Sequence, residues 1–287
     1  MHDHGPRPFD LTRPPVWRGG VIFCSPHSGR DYPDWFLRES VLDPLALRSS
    51  EDAFMDDLAR PAVAAGAVLL TASLPRAVID LNRAAHEIDP QAVAGAPPRA
   101  LNPRTMAGLG VIPRVVSQGR AIRHDRIPYA EAQRRIALWW RPYHLTLAGL
   151  IAEAQAQFGA ALVVDMHSMP GDALSHLHPP RPQVVIGNRN GVSAGREISA
   201  QVQDAFVAAG LRVRLNSPFS GAYIADAYGR PAQNSHVIQV EIDRSLYMDE
   251  ARVRPGPNYA AFAAQLAGII AAIAEIRPGG SVRVAAE

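Results

Sequence analysis

The stretch AALVVDMHSMPG, residues 160–171, decides the fold. Residues 160–165 are apolar up to a final acid, and MHSMPG behind them reads as a polar turn closed by Pro170-Gly171. A near-continuous apolar run of this kind belongs in a strand buried on both faces, the habit of parallel sheets covered by helices. The same grammar recurs outward from it. Toward the N-terminus, residues 20–24 (GVIFC) run into the turn Ser25-Pro26-His27-Ser28-Gly29, residues 67–71 (AVLLT) read as a strand, and residues 76–81 (RAVIDL) form an apolar run ended by Asn82-Arg83. Toward the C-terminus, residues 183–186 precede GNRNG, residues 212–215 precede NSPFSG, and residues 236–242 form a last strand.

Helical spacing of apolar residues fills the gaps, over 43–65, 129–158 with a kink at Pro142, 192–209 and 260–276. Residues 89–126 are rich in Pro, Gly and Arg and read as a long loop packed on the body. Strands alternating with helices predict an α/β protein of three layers, α/β/α, around a mostly parallel mixed sheet. No break in composition marks a linker, so residues 1–287 are expected to form one catalytic domain.

Composition narrows the chemistry. All 29 basic residues are Arg, so mechanisms that need a lysine amine are excluded, while guanidinium forks for carboxylates and phosphates remain plentiful. A net charge of +2 offers no basic stripe for nucleic acid. The lone Cys24 cannot form an internal disulfide, and the opening MHDHGPRPFDL lacks the apolar run of a secretory signal, which together predict a cytoplasmic protein. The longest apolar stretch, 260–276, is interrupted by Gln265 and Glu275 and reads as an amphipathic terminal helix rather than a membrane span.

In open α/β sheets the ligand crevice lies beyond the carboxyl ends of the strands. His27, Asn82-Arg83 and His167 all stand at such ends and are expected to converge there. Two histidines and one carboxylate, from Glu51 or Asp52, would make a metal site with an open position. The plainer alternative is that both histidines only bond loop backbone. Glu241, inside the apolar run HVIQVEID, is the candidate base, with a Glu241–Arg244 ion pair as its structural alternative. A serine hydrolase is the rival class, but SPHSG centres on His27 rather than on a serine, and Ser168 lacks a G-x-S-x-G elbow. Cys24 ends an apolar strand, where a buried thiol is the default. GNRNG lacks phosphate-loop spacing. The histidines at 2, 4, 86, 124, 144, 176, 178 and 236 read as surface or structural, with His144 a packing residue, while Asp80 and Asp165 are placed to orient their neighbours.

SPHSG (25–29), DLNR (80–83), GLGVIPR (108–114), DMHSMPG (165–171), NSPFSGAY (216–223) and QVEIDRSLYMDE (239–250), in that order, resemble the N-formylglutamate amidohydrolase family over residues 21–249. The resemblance implies a zinc-carboxypeptidase/phosphorylase-hydrolase-like fold. It also implies one zinc ion, with cobalt or manganese not separated by the ligand set, and hydrolysis of an N-acyl amino acid, typically N-formyl-L-glutamate in histidine breakdown. Carried over by position, it gives His27, Asp52 and His167 as metal ligands. Asp52 precedes Leu58 by the family's six positions, with Glu51 as the fallback because Ala53 replaces the usual aromatic residue. It gives Glu241 as the catalytic acid-base and Asn82 and Arg83 as holders of a substrate carboxylate. Arg189 and Tyr223 are expected to bind the same small dicarboxylic substrate. Arg114 is expected to hold the oxyanion, a role worth about 3 kcal/mol. Ala222 stands where the family has a second glycine.

Overall fold

The computed structural model describes residues 7–100 and 102–279. Its centre is one sheet of seven strands: β1 (Phe9–Thr12), β2 (Val21–Ser25), β3 (Val68–Ala72), β4 (Ala161–Met169), β5 (Val184–Gly187), β6 (Val213–Leu215) and β7 (Ser235–Asp243), in the order β1-β3-β2-β4-β7-β5-β6. The four central strands are parallel, as are β5 and β6, while β1 on β3 and β5 on β7 run antiparallel. The sheet is therefore mixed and mostly parallel.

Alternation along the strands sorts side chains between two cores. Val21, Phe23, Leu162 and Val164 join one cluster under the helices Arg196–Ala208 and Tyr259–Ala274. Ile22, Cys24, Ala161 and Val163 join the other, under Arg141–Phe158. Helices thus cover both faces, and each buried aliphatic or aromatic side chain contributes about 1.5–3 kcal/mol relative to exposure.

The structure corrects four local expectations. Strand β4 does not stop at Asp165 but continues through His167 to Met169, because β7 is equally long and pairs with it throughout, His167 opposite Glu241. Residues 76–81 are not a strand; Val78, Ile79 and Leu81 are buried in a turn tied to the long loop by the Asp80 N–H donating to the Val111 carbonyl. The helix expected over 43–65 breaks into Pro44–Arg48, Met55–Ala59 and Pro61–Ala64, since Pro61 has no N–H to donate and Phe54 adopts φ 67°. Glu51 and Asp52 therefore lie in a break rather than on a helix. Strand β1 emerges within a lead that reads only as Pro-rich. The kink near Pro142 is a π-helical turn, Ile136–Trp140, between Tyr129–Arg135 and Arg141–Phe158. Strand β2 sends the chain to β3 on one side while β4 lies on the other, so a topological switch point falls between β2 and β4.

Candidate metal centre

Three chain segments meet at that switch point. His27 leaves the end of β2 in a loop laid against β3, where a Cβ at Gly29 would fall 2.0 Å from the Leu74 carbonyl oxygen, so only glycine fits. Asp52 enters from the helix break, its N–H donating to the His27 carbonyl at 3.0 Å. His167 projects from β4 itself. One ligand atom from each of the three lies within 4.8 Å of the other two, and all three residues are buried.

Both imidazoles turn Nδ1 toward Asp52 Oδ2, at 2.9 Å from His167 and 3.6 Å from His27. Their opposite nitrogens meet other carboxylates: His27 Nε2 lies 2.7 Å from Asp80, and His167 Nε2 lies 3.0 Å from Asp165. Asp52 Oδ1 accepts from Arg244 Nη2 at 3.0 Å and from Ser168 Oγ at 3.3 Å. A carboxylate behind each ring nitrogen is the usual way a ligating histidine is oriented. His27 Nδ1 is buried with no hydrogen-bond partner. Two imidazole nitrogens and a carboxylate facing one point, one of those nitrogens unpartnered, fit a divalent transition metal.

The electrostatics lean the same way. Burial opposes the charge of Asp52, but the hydrogen bond from His167 and the closeness of both imidazole rings outweigh it and hold the carboxyl well below its ordinary range. Burial likewise opposes a charged His167, and Asp165 and Asp52 outweigh it, holding that ring well above the ordinary value. Asp80, buried beside Arg76 and His27, is also held low. Asp52 and Asp80, both held ionised beside the two rings, make a pocket that demands positive charge.

Glu241 faces His167 across the ladder and lines, with the triad, a cavity of about 220 Å³. Its Oε1 accepts from Gln239 Nε2 at 2.7 Å. Burial first, then the charges of Asp52 and Asp165, push its carboxyl up to about 7 against the pull of His167 and Arg76. A carboxyl near neutrality can both take and return a proton at physiological pH. Arg244 bonds to Asp52 and Ser168, so the Glu241–Arg244 pair weighed as the alternative to a base does not form.

The other expected residues divide by position. Asn82 lines the cavity, but its amide is engaged: Nδ2 meets Asp165 and His167 at 3.0 Å each, and Oδ1 accepts from the Ile224 N–H at 2.8 Å. Arg83 lines it too, donating Nε and Nη1 to the carbonyls of Leu109 and Asn82. Arg114 is drawn away to Asp89 at 2.9 Å, Arg189 pairs with Asp226, and neither is on the cavity wall. The Tyr223 ring packs on Trp140 and His144, and only its neighbour Ala222 reaches the cavity. Glu51 accepts from Tyr32 and Arg48 outside the triad. His144 is a packing histidine, bonded to the Leu81 carbonyl and the Tyr228 hydroxyl. His2 and His4 lie outside the described residues.

Two arginines on the wall have no place in the sequence reading. Arg76 pairs with Asp80 at 2.7 Å and lies close enough to Glu241 to lower its pKa. Arg104 is exposed and makes no ion pair or side-chain hydrogen bond among the described residues. Position 104 sits on the one-turn helix Pro103–Met106, inside a stretch rich in proline and glycine where sequence offers no signal of direction. The departure at Ala222 is accommodated because Gly221 carries the φ of 117° while Ala222 is extended, its N–H donating to Gln239 at 2.8 Å.

The model of the N-formylglutamate amidohydrolase family matches residues 19–248. The N-formylglutamate deformylase of Pseudomonas aeruginosa is 33% identical over 189 residues, 64% of this chain and 66% of its own length. That of Pseudomonas putida is 30% identical over 234 residues, 80% of this chain and 82% of its own. The crystal structure of N-formylglutamate amidohydrolase from Ralstonia eutropha JMP134 matches with a TM-score of 0.88 at 33% identity, covering 94% of this chain and 98% of that one. A protein of Agrobacterium tumefaciens, 18% identical over 92% of this chain and 94% of its own, has the same fold with a TM-score of 0.66.

Proposed function

The chain belongs to the N-formylglutamate amidohydrolase family, and from that premise we propose that it hydrolyses N-formyl-L-glutamate to formate and L-glutamate with one bound zinc ion. The observation that carries this reading is the buried convergence of His27 Nδ1, His167 Nδ1 and an Asp52 oxygen beside Glu241. His27, Asp52 and His167 would hold the ion, with Asp80 and Asp165 orienting the rings from behind. Zinc supplies Lewis-acid chemistry in such a site, polarising an amide carbonyl and making water easier to deprotonate.

Glu241 moves the proton. With Oε1 held by Gln239, its Oε2 takes a proton from the attacking water as the oxygen bonds to the formyl carbon, then delivers it to the nitrogen as the C–N bond breaks. Arg76, beside Glu241, is better placed than Arg114 to meet the oxyanion. Arg83, whose Nη2 makes no hydrogen bond among the described residues, and Arg104 supply the two cations that a dicarboxylic leaving amino acid requires. Asn82 serves by fixing His167 and Asp165.

Residues 1–287 are taken as one catalytic domain, a reading supported by the single seven-stranded sheet between Phe9 and Asp243. The reaction belongs to histidine degradation, a cytoplasmic process. No helix among the described residues is long and apolar enough to cross a membrane, and Cys24 is a buried free thiol. The test is formate release from N-formyl-L-glutamate by metal-loaded protein. Full activity in a His27→Ala, His167→Ala double variant would overturn the reading.

A further inference from the structure

A second cavity, of about 480 Å³ against 220 Å³, opens beside the catalytic cleft. The two share Arg76, Leu109, Ser168, Phe219 and Glu241, so they are continuous around the catalytic carboxylate. Their remaining walls differ in kind. The cleft carries the metal triad with Asn82, Arg83 and Arg104, whereas the larger chamber is mostly apolar, with Ala77, Pro113, Val115, Val116 and Met169 on its wall beside a polar edge that includes Ser117 and Gln118. The chamber's two arginines are both neutralised, Arg76 by Asp80 at 2.7 Å and Arg244 by Asp52 at 3.0 Å.

We propose that this chamber is an acyl subsite, so that the enzyme accepts N-acyl dicarboxylic amino acids whose linear acyl chain is longer than formyl. The proposal rests on the amidohydrolase reading and adds the direction in which the substrate lies. An amide has two sides. The amine side bears the carboxylates and is drawn to Arg83 and Arg104, which line the cleft alone. The substituent on the carbonyl carbon leaves the other way, past Glu241, into a space with no unpaired cation to hold a carboxylate. A formyl hydrogen needs no pocket, and a chamber about twice the size of the cleft would hold only water beside it. An alkyl chain placed there would cover apolar walls, each buried methylene tightening binding about fourfold.

Binding separates this from the catalytic reading. Isothermal titration of zinc-loaded Glu241→Gln protein with N-formyl-, N-butanoyl- and N-hexanoyl-L-glutamate is expected to show Kd falling along the series, by tenfold or more from first to last. A Kd that stays constant or rises overturns the proposal. So does tighter binding of N-formyl-L-phenylalanine than of N-hexanoyl-L-glutamate, because it would put an amino-acid side chain in the chamber. The same order is expected in the kcat/KM of the wild-type enzyme. Ala107→Trp and Ser117→Trp place bulk at chamber positions that are exposed and half-buried. Each should cut the hexanoyl-to-formyl ratio of affinities by about tenfold, and an unchanged ratio in both overturns the assignment. Absence of formate release with the chain-length dependence intact would count against the amidohydrolase reading and leave the subsite standing.

Discussion

The inner and outer ends of the cleft differ in how firmly their polar atoms are held. At the inner end His27, Asp52 and His167 are buried, and each is fixed by a further group: Asp80, Arg244 or Asp165. At the outer end Arg83 is half-anchored to backbone carbonyls with Glu87 4.0 Å away, and Arg104 is exposed without a side-chain partner among the described residues. A buried charge is tolerated only when paired, so the inner end had to be organised before any ligand arrives. In the proposed function the outer end leaves its remaining pairing to the substrate. The chain thus separates chemistry from recognition, and variants along the cleft should report a gradient.

The steepest loss is expected at the inner end. Asp52→Ala or His167→Ala should abolish stoichiometric metal binding and, with several kcal/mol of transition-state stabilisation gone, lower formate release on the order of 10⁴-fold. Elemental analysis beside a formate assay checks both. Glu241→Gln should keep one metal per chain yet lower kcat on the order of 10³-fold, since only the proton carrier is missing. Metal loss in that variant would mean that Glu241 belongs to the ligand set. One step further out, Asp80→Asn should weaken metal affinity by about 10- to 100-fold in a chelator competition, because His27 would lose the carboxylate that orients it.

At the outer end the effect should move from kcat to KM. Arg83→Ala and Arg104→Ala are each expected to raise KM by about tenfold, in keeping with a charged hydrogen bond of about 1.5 kcal/mol. Arg114→Ala and Arg189→Ala, tied to Asp89 and Asp226 off the cavity wall, should change it by less than about threefold. Equal effects at all four would erase the distinction drawn here. The smallest effect on catalysis is expected at His144, which acts on stability. Burial lowers its pKa to about 4, from about 6.5 in an unfolded chain. The unfolded state therefore gains a proton first as pH falls below about 6.5, and up to about 3 kcal/mol of stability is lost by pH 4. Urea unfolding at pH 7 and pH 5 should show this loss in wild type and a smaller one in His144→Gln.

How much of this was legible in the sequence depended on range. Apolar runs such as 160–165 and 20–24 announce buried parallel strands, and the three-layer class follows from local pattern alone. The end of β4 was not legible, because the ladder that carries it to Met169 is supplied by β7, some seventy residues later. His27, His167 and Glu241 announce themselves as polar residues at or inside apolar strands, where burial demands a reason. The arginines give no such signal. Arg83, Arg114 and Arg189 all follow or sit in polar turns, yet only the tertiary path turns one inward and gives the others acidic partners. Arg104, the exposed one on the wall, lies on a single helical turn, Pro103–Met106, too short to show periodicity. An all-arginine chain hides its binding arginines among its surface ones.

The central claim is that the His27–Asp52–His167 cluster holds the ion that makes this chain an N-formylglutamate hydrolase. Metal-free protein titrated with zinc, with formate release from N-formyl-L-glutamate followed at each addition, tests it most directly. The account predicts no activity without metal, a linear rise, and a plateau at one equivalent per chain. Full activity in the metal-free protein, or none at one equivalent, would contradict it.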